Sequence, residues 1–224
     1  MSPPHELRLR AQGVIFDMDG TLADSLDHYY GMACDIVEAA HAPPISRERV
    51  CELMGSGDPD LLRKLLPSDF TDSEAVLARI VRERFPAWMR AGKEIEPLPG
   101  CVDLLHQLHA RGHRLGIATS SGRALPYLDR WGVRPLFHSI VGREDVRRRK
   151  PHPDVVLHCL CQLDLEPDDA VYVGDSPIDI EAGRAAGLFT VGVLTGTSSR
   201  ERLTSVSPDF ILESAPELLG LLEC

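Results

Sequence analysis

Two aspartates stand one residue apart at the end of an apolar run. Asp17 and Asp19 follow Val14-Ile15-Phe16 and lead into Gly20 and Thr21. Charge at the end of a buried strand is costly without a compensating partner. Three other stretches end in residues of related chemistry. Thr119-Ser120-Ser121-Gly122 follows the apolar Leu-Gly-Ile-Ala, Lys150-Pro151 closes a basic run of Arg147, Arg148 and Arg149, and Gly174-Asp175-Ser176 precedes Asp179. Together they offer carboxylates, hydroxyls and a lysine. Such a set suits an anionic substrate once a metal or a few basic residues supply local positive charge. Each also has an ordinary reading: Asp before Gly is common in turns, Thr caps helices, and an arginine-rich run can be a solvated loop.

Whether these residues meet depends on the elements that carry them. Short apolar runs at 14–16, 115–118, 139–141, 171–173 and 190–193 read as buried strands. Between the later ones lie helical patterns over 102–111, 123–131, 154–163 and 178–186, three of them closed by Gly112, Gly132 and Gly187. Strands alternating with helices predict an α/β fold, a Rossmann-like doubly wound parallel sheet. Ligands bind such sheets outside the carboxyl ends of the strands. All the candidate residues fall at strand ends, so one edge of the sheet could gather them, with Thr119 placed to cap the helix that follows.

Residues 26–96 have a different texture. A helical pattern over 26–40 is broken by Pro43-Pro44, and Ser46 can cap the next helix. Asp58-Pro59 is a further helix start, and Thr71-Asp72-Ser73-Glu74 has capping-box spacing ahead of a longer helix. Pro86 within it predicts a kink or break near Phe85. No strand pattern occurs. The expected organisation is a core of residues 1–25 and 97–224 with an all-helical insertion, a cap domain, over 26–96 and a return linker at 94–100.

Of the 224 residues, 43% are hydrophobic and 26% charged, and the formal net charge is −10. That balance argues against a nucleic-acid partner or an anionic membrane surface. No apolar stretch is long enough to span a membrane, and the first residues lack a secretory apolar stretch. The six cysteines form no CxxC pair, as expected of reduced thiols in a cytoplasmic protein. His106, His109 and His113 have near-helical spacing, but Gly112 intervenes, and a solvated helix face explains them better than a metal. Monomer and homodimer both remain open.

DMDGT at 17–21, Thr119 after a hydrophobic strand, Lys150-Pro151, and Gly-Asp-Ser-x-x-Asp at 174–179 resemble the four motifs of the haloacid dehalogenase superfamily. The resemblance spans about residues 13–193, and the helical insertion is similar to that of its phosphatase-like subfamily. It implies that Asp17 is a nucleophile forming an aspartyl-phosphate and that Asp19 protonates the leaving oxygen and then activates water. It implies Mg²⁺ held by the Asp17 carboxylate, the Asp19 backbone carbonyl and the Asp175 carboxylate. Thr119, Ser120, Gly20 and Lys150 would bind the phosphoryl group, and Asp179 would orient Lys150 or a metal-bound water rather than ligate directly.

Asp19 separates the chain from dehalogenase-type members, which resemblance says lack a carboxylate there. Gly174-Asp175 differs from the Glu-Asp typical of β-phosphoglucomutase-like members. The resemblance therefore implies a phosphomonoesterase for a small phosphorylated metabolite, phosphoglycolate first. A mutase-type phosphotransferase, a pyrophosphatase and a non-catalytic phosphate-binding protein are the alternatives. Specificity would come from the insertion, with Tyr29, Tyr30 and the loop Gly55-Ser56-Gly57-Asp58 as candidates.

Overall fold

The apolar run before Asp17 becomes β1 (Gly13–Phe16), buried along its whole length in this computed structural model, which describes residues 9–56, 60–70, 73–92, 94–121 and 124–223. Among the described residues the helices α1 (Leu26–Ala39), α2 (Arg47–Met54), α3 (Leu61–Lys64) and α4 (Ser73–Gly92) follow. The chain then alternates: α5 (Cys101–Ala110), β2 (Arg114–Ala118), α6 (Ala124–Arg130), β3 (Phe137–Val141), α7 (Asp154–Leu163), β4 (Ala170–Gly174), α8 (Pro177–Ala185) and β5 (Phe189–Val193). It closes with α9 (Arg200–Ser205), β6 (Phe210–Leu212) and α10 (Leu218–Leu221).

The six strands lie in the order β3-β2-β1-β4-β5-β6, and every pair is parallel. The chain reverses its direction of winding between β1 and β4, the switch point at which such sheets open a ligand crevice. Alternation along β1 sorts its side chains between two layers. Val14 and Phe16 pack with Leu104, Leu108 and Tyr127 of α5 and α6, whereas Ile15 packs with Val156 and Cys159 of α7 on the other face.

The helices of the insertion have an apolar cluster of their own, built on Ile36, Val37, Leu53, Ile80 and Trp88. Its two connections run side by side. The Asp24 N–H donates to the Glu96 carbonyl at 3.0 Å, the Leu98 N–H donates to the Leu22 carbonyl at 2.8 Å, and Ala23 forms an antiparallel bridge with Pro97. Ser46 caps α2 by accepting the Arg49 N–H at 3.2 Å.

Two elements fall outside the sequence pattern and two expectations need correction. β6 and α9 carry no strong period, one being three residues and the other six, and pattern alone missed them. Pro86 does not break α4, which runs through it from Ser73 to Gly92. Burial of Leu77, Ile80 and Trp88, and a 2.8 Å bond from the Trp88 indole N–H to Asp35, anchor both sides of the missing backbone bond. Thr119 does not cap α6, which starts five residues later at Ala124. The helix starts read at Asp58-Pro59 and Thr71-Asp72 lie outside the described residues, as do Gly57, Gly122 and Arg123.

Candidate active site

β1 delivers Asp17 to the switch point. The Asp17 N–H continues the ladder by donating to the Val173 carbonyl at 2.8 Å, so the backbone is fixed up to the carboxylate. β4, paired with β1 through Phe16 and Val173, ends at Gly174, immediately before Asp175. Gly20, in a left-handed conformation at φ 77°, turns the chain after Asp19 and lies close to the Asp175 carboxylate.

Lys150 arrives from the loop after β3 and is almost wholly buried. Its Nζ donates to Asp17 Oδ1 at 2.7 Å, to Asp179 Oδ1 at 2.6 Å, to the Tyr172 hydroxyl at 3.0 Å and to the Ala118 carbonyl at 3.3 Å. Burial alone would favour the neutral amine. The Asp17 and Asp179 carboxylates overcome it and hold Lys150 well above the ordinary lysine range. Asp179 is fully engaged. Its Oδ1 meets Lys150 and the Tyr172 hydroxyl, while its Oδ2 accepts the Ser176 N–H at 3.1 Å and the Ser176 hydroxyl at the start of α8.

Asp175 is held by a loop that sequence reasoning missed. Its Oδ2 accepts the Thr197 N–H at 2.6 Å and the Thr197 hydroxyl at 2.9 Å, and its Oδ1 accepts the Thr21 hydroxyl at 3.4 Å. Gly196 lies so close that a Cβ there would stand 2.0 Å from Asp175 Oδ2. Thr195 ties the loop to the first motif by donating to the Gly20 carbonyl at 2.7 Å. The available signal was position. Thr195-Gly196-Thr197 follows the carboxyl end of β5, on the edge where the other candidates gather.

Oxygen atoms of Asp17, Asp175 and Asp179 lie within 4.8 Å of one another, all three residues buried. Burial pushes Asp17 up to about 8, with Lys150 pulling against it and Asp179 and Asp175 adding to it. Burial, reinforced by Asp179, pushes Asp175 up to about 7 against the Thr197 hydrogen bonds. Asp179 is committed to Lys150, Tyr172 and Ser176, whereas Asp17 Oδ2 and Asp175 Oδ1, which accepts only a long 3.4 Å bond from Thr21, are the oxygens best left to meet a cation. Among the described residues Asp17 Oδ2 accepts no hydrogen bond. A buried, all-oxygen set of this kind fits a hard divalent cation, which would relieve the repulsion that raises both groups.

Thr119 is buried, and its Oγ1 accepts the Ser121 N–H at 3.1 Å, which leaves the hydroxyl proton to donate elsewhere. Ser120 is exposed beside it. Asp19 is half-buried and accepts the Tyr29 hydroxyl at 3.2 Å on Oδ2. Asp17, Asp19, Thr119, Ser120, Lys150, Asp175 and Asp179 all border one cavity of about 500 Å³, and Gly20 does not line it. Of the insertion candidates, Tyr29 lines that cavity. Tyr30 instead donates to the Ile45 carbonyl at 3.4 Å and packs in the helical cluster. Gly55 approaches the loop that holds Asp175, since a Cβ there would meet Thr197 Oγ1 at 3.0 Å. The histidines gather no site: the His113 ring meets the Ala11 carbonyl at 2.9 Å, and His109 lies beside His138.

The family model described as haloacid dehalogenase-like hydrolase matches residues 14–193. Phosphoglycolate phosphatases of Escherichia coli K12 and Salmonella paratyphi A are each 31% identical to the chain, over 94% of it and 92% of their own length. Among solved structures, a hydrolase from Pseudomonas syringae superposes with a TM-score of 0.78 at 28% identity, covering 93% of this chain and 96% of its own. A β-phosphoglucomutase from Clostridium difficile shares the fold, with a TM-score of 0.76 at 24% identity over 93% of each chain. The chain therefore belongs to the haloacid dehalogenase-like hydrolases, among their phosphatases.

Proposed function

We propose that the chain is a Mg²⁺-dependent phosphomonoester hydrolase that works through an aspartyl-phosphate on Asp17. The observation that carries this reading is the state of Asp17 at the switch point. One oxygen is pinned by Lys150 at 2.7 Å, and the other accepts no hydrogen bond among the described residues, in a residue that borders the cavity.

In the first step Asp17 Oδ2 attacks phosphorus, the bond from phosphorus to the leaving oxygen breaks, and Asp19 gives that oxygen a proton. In the second, water attacks phosphorus and passes a proton to Asp19, the bond from Asp17 to phosphorus breaks, and free phosphate leaves. Lys150 and the Thr119 hydroxyl meet the phosphoryl oxygens, aided by Ser120, while Gly20 lets the backbone turn close beneath them. Asp179 positions Lys150. Asp17 and Asp175, with the Asp19 backbone carbonyl, would hold Mg²⁺, which supplies positive charge between the anionic nucleophile and the phosphoryl group. Residues 26–96 act as the cap, bringing Tyr29 to Asp19.

Gly174 favours hydrolysis over the mutase-type alternative. A Cβ there would stand 2.3 Å from the Asp179 Cβ, so this arrangement of Asp179 and Lys150 has no room for a glutamate at that position. The substrate is a small phosphorylated metabolite, and phosphoglycolate is the first to try. The test is phosphate release from phosphoglycolate and 4-nitrophenyl phosphate, with Mg²⁺ or with a chelator, by the protein and by Asp17→Asn. Metal-dependent release that Asp17→Asn lowers by at least about a thousandfold is expected. Equal release by the two proteins would overturn the assignment.

A further inference from the structure

The cavity is lined by more than the groups that handle phosphate. Apolar side chains of the insertion also border it: Met32 on α1, Met54 on α2, and Leu61 and Leu62 on α3. Two arginines of the core also border it, Arg143 on the turn after β3 and Arg149 immediately before Lys150. Both are exposed, and among the described residues neither holds a carboxylate. That sets them apart from their neighbour Arg148, which pairs with Asp154 at 2.8 Å and does not border the cavity. Other arginines divide in the same way, Arg134 pairing with Asp129 and Arg49 with Glu52 while Arg147 and Arg202 hold no carboxylate among the described residues. What distinguishes Arg143 and Arg149 is that they are both without an acid and on the cavity.

Two unpaired guanidinium groups beside an acidic floor are not there to balance it, because Lys150 already serves Asp17 and Asp179. Their charge is available to a ligand, and guanidinium matches carboxylate or phosphate by paired donors. A cavity of about 500 Å³ is of the size that encloses a whole metabolite rather than a phosphoryl group with two carbons. Methionine and leucine side chains offer an adaptable surface to an apolar body.

We propose that Arg143 and Arg149 form an anion subsite opposite an apolar cap wall. The preferred leaving group would then carry a second negative charge on an apolar body longer than a two-carbon acid. This rests on the phosphatase reading and narrows its substrate class. Phosphoglycolate would satisfy the arginines and leave the cap wall bare.

Binding and turnover are measured separately so that the two ideas can fail separately. Binding is followed by calorimetry with Mg²⁺ and phosphonates that cannot be hydrolysed: 3-phosphonopropionate, 7-phosphonoheptanoate and 7-phosphonoheptanamide. The long acid should bind about tenfold more tightly than either the short acid or the long amide. In the Arg143→Gln/Arg149→Gln protein, whose changed residues are exposed, the preference for long acid over long amide should shrink toward one. Equal binding of acid and amide, or an equal loss for both in the variant, would overturn the anion subsite. Equal binding of long and short acids would overturn the apolar wall. Hydrolysis of the corresponding phosphate esters tests the reaction alone. No release from any ester would refute the phosphatase reading and leave the binding result to judge the subsite.

Discussion

Gly196 shows how little room surrounds the carboxylate of Asp175. The loop after β5 wraps that group so closely that Thr197 donates from both its N–H and its hydroxyl, while Gly196 presses against the same oxygen. A methyl group at position 196 would stand 2.0 Å from Asp175 Oδ2, and a buried carboxylate between two fixed strands cannot retreat without leaving its partners. Gly196→Ala should therefore shift Asp175 away from Asp17. Misplacement on the scale of an ångström costs about a hundredfold in rate, so kcat/KM should fall by about that factor. The Mg²⁺ concentration for half-maximal activity should rise with it. Steady-state rates across a Mg²⁺ titration check this, and an unaltered metal requirement would show that the loop only shapes the surface.

At the scale of elements, the first turn of α8 carries a residue that serves two structures at once. Asp179 accepts the Ser176 N–H at the helix start through one oxygen and holds Lys150 through the other. It can do so because Gly174 lets the helix start sit on the end of β4. Gly174→Ala would force Asp179 off that seat. The variant should lose about 2–3 kcal/mol of stability and at least about a hundredfold in kcat. Thermal unfolding and turnover together test this, since loss of one without the other would break the link between helix start and lysine. The sequence made this element legible. A short apolar run at 171–173, then Gly-Asp-Ser-Pro with an Asp one turn on, gives strand, helix start and charge together. The same rule of strand ends placed Asp17, Thr119 and Lys150. It was not carried to β5, whose loop of threonine, glycine and serine has no charge to flag it, and so Gly196 and Thr197 went unread. Pro86 was read from a local preference that the packing of Trp88 and Ile80 overrides. Tyr29 and Tyr30 could not be told apart in advance, because which face of α1 meets the core depends on how the helical cluster is seated.

At the scale of the molecule, the carboxylate cluster ties folding to pH and to metal. An aspartate in an unfolded chain gives up its proton near about pH 4. In the folded, metal-free chain burial and neighbouring carboxylates hold the protons of Asp17 up to about 8 and of Asp175 up to about 7. The folded state thus binds more protons than the unfolded state between those limits, and stability falls as pH rises through that window. A divalent cation held as proposed would reverse the balance. It would bind the ionised carboxylates, which are brought together only in the folded chain, and would compete with the protons they otherwise keep. The rise in Tm produced by a fixed excess of Mg²⁺ should therefore be small at pH 5 and grow steadily to pH 8. With a chelator present, Tm should decline over the same range. In Asp175→Asn one of the two carboxylates can no longer ionise, so both the metal-free decline and the growth of the Mg²⁺ increment should be reduced. Calorimetric scans at each pH, with Mg²⁺ and with chelator, measure all three trends. A Mg²⁺ increment of the same size at pH 5 and pH 8 would mean that the cation binds elsewhere than between Asp17 and Asp175.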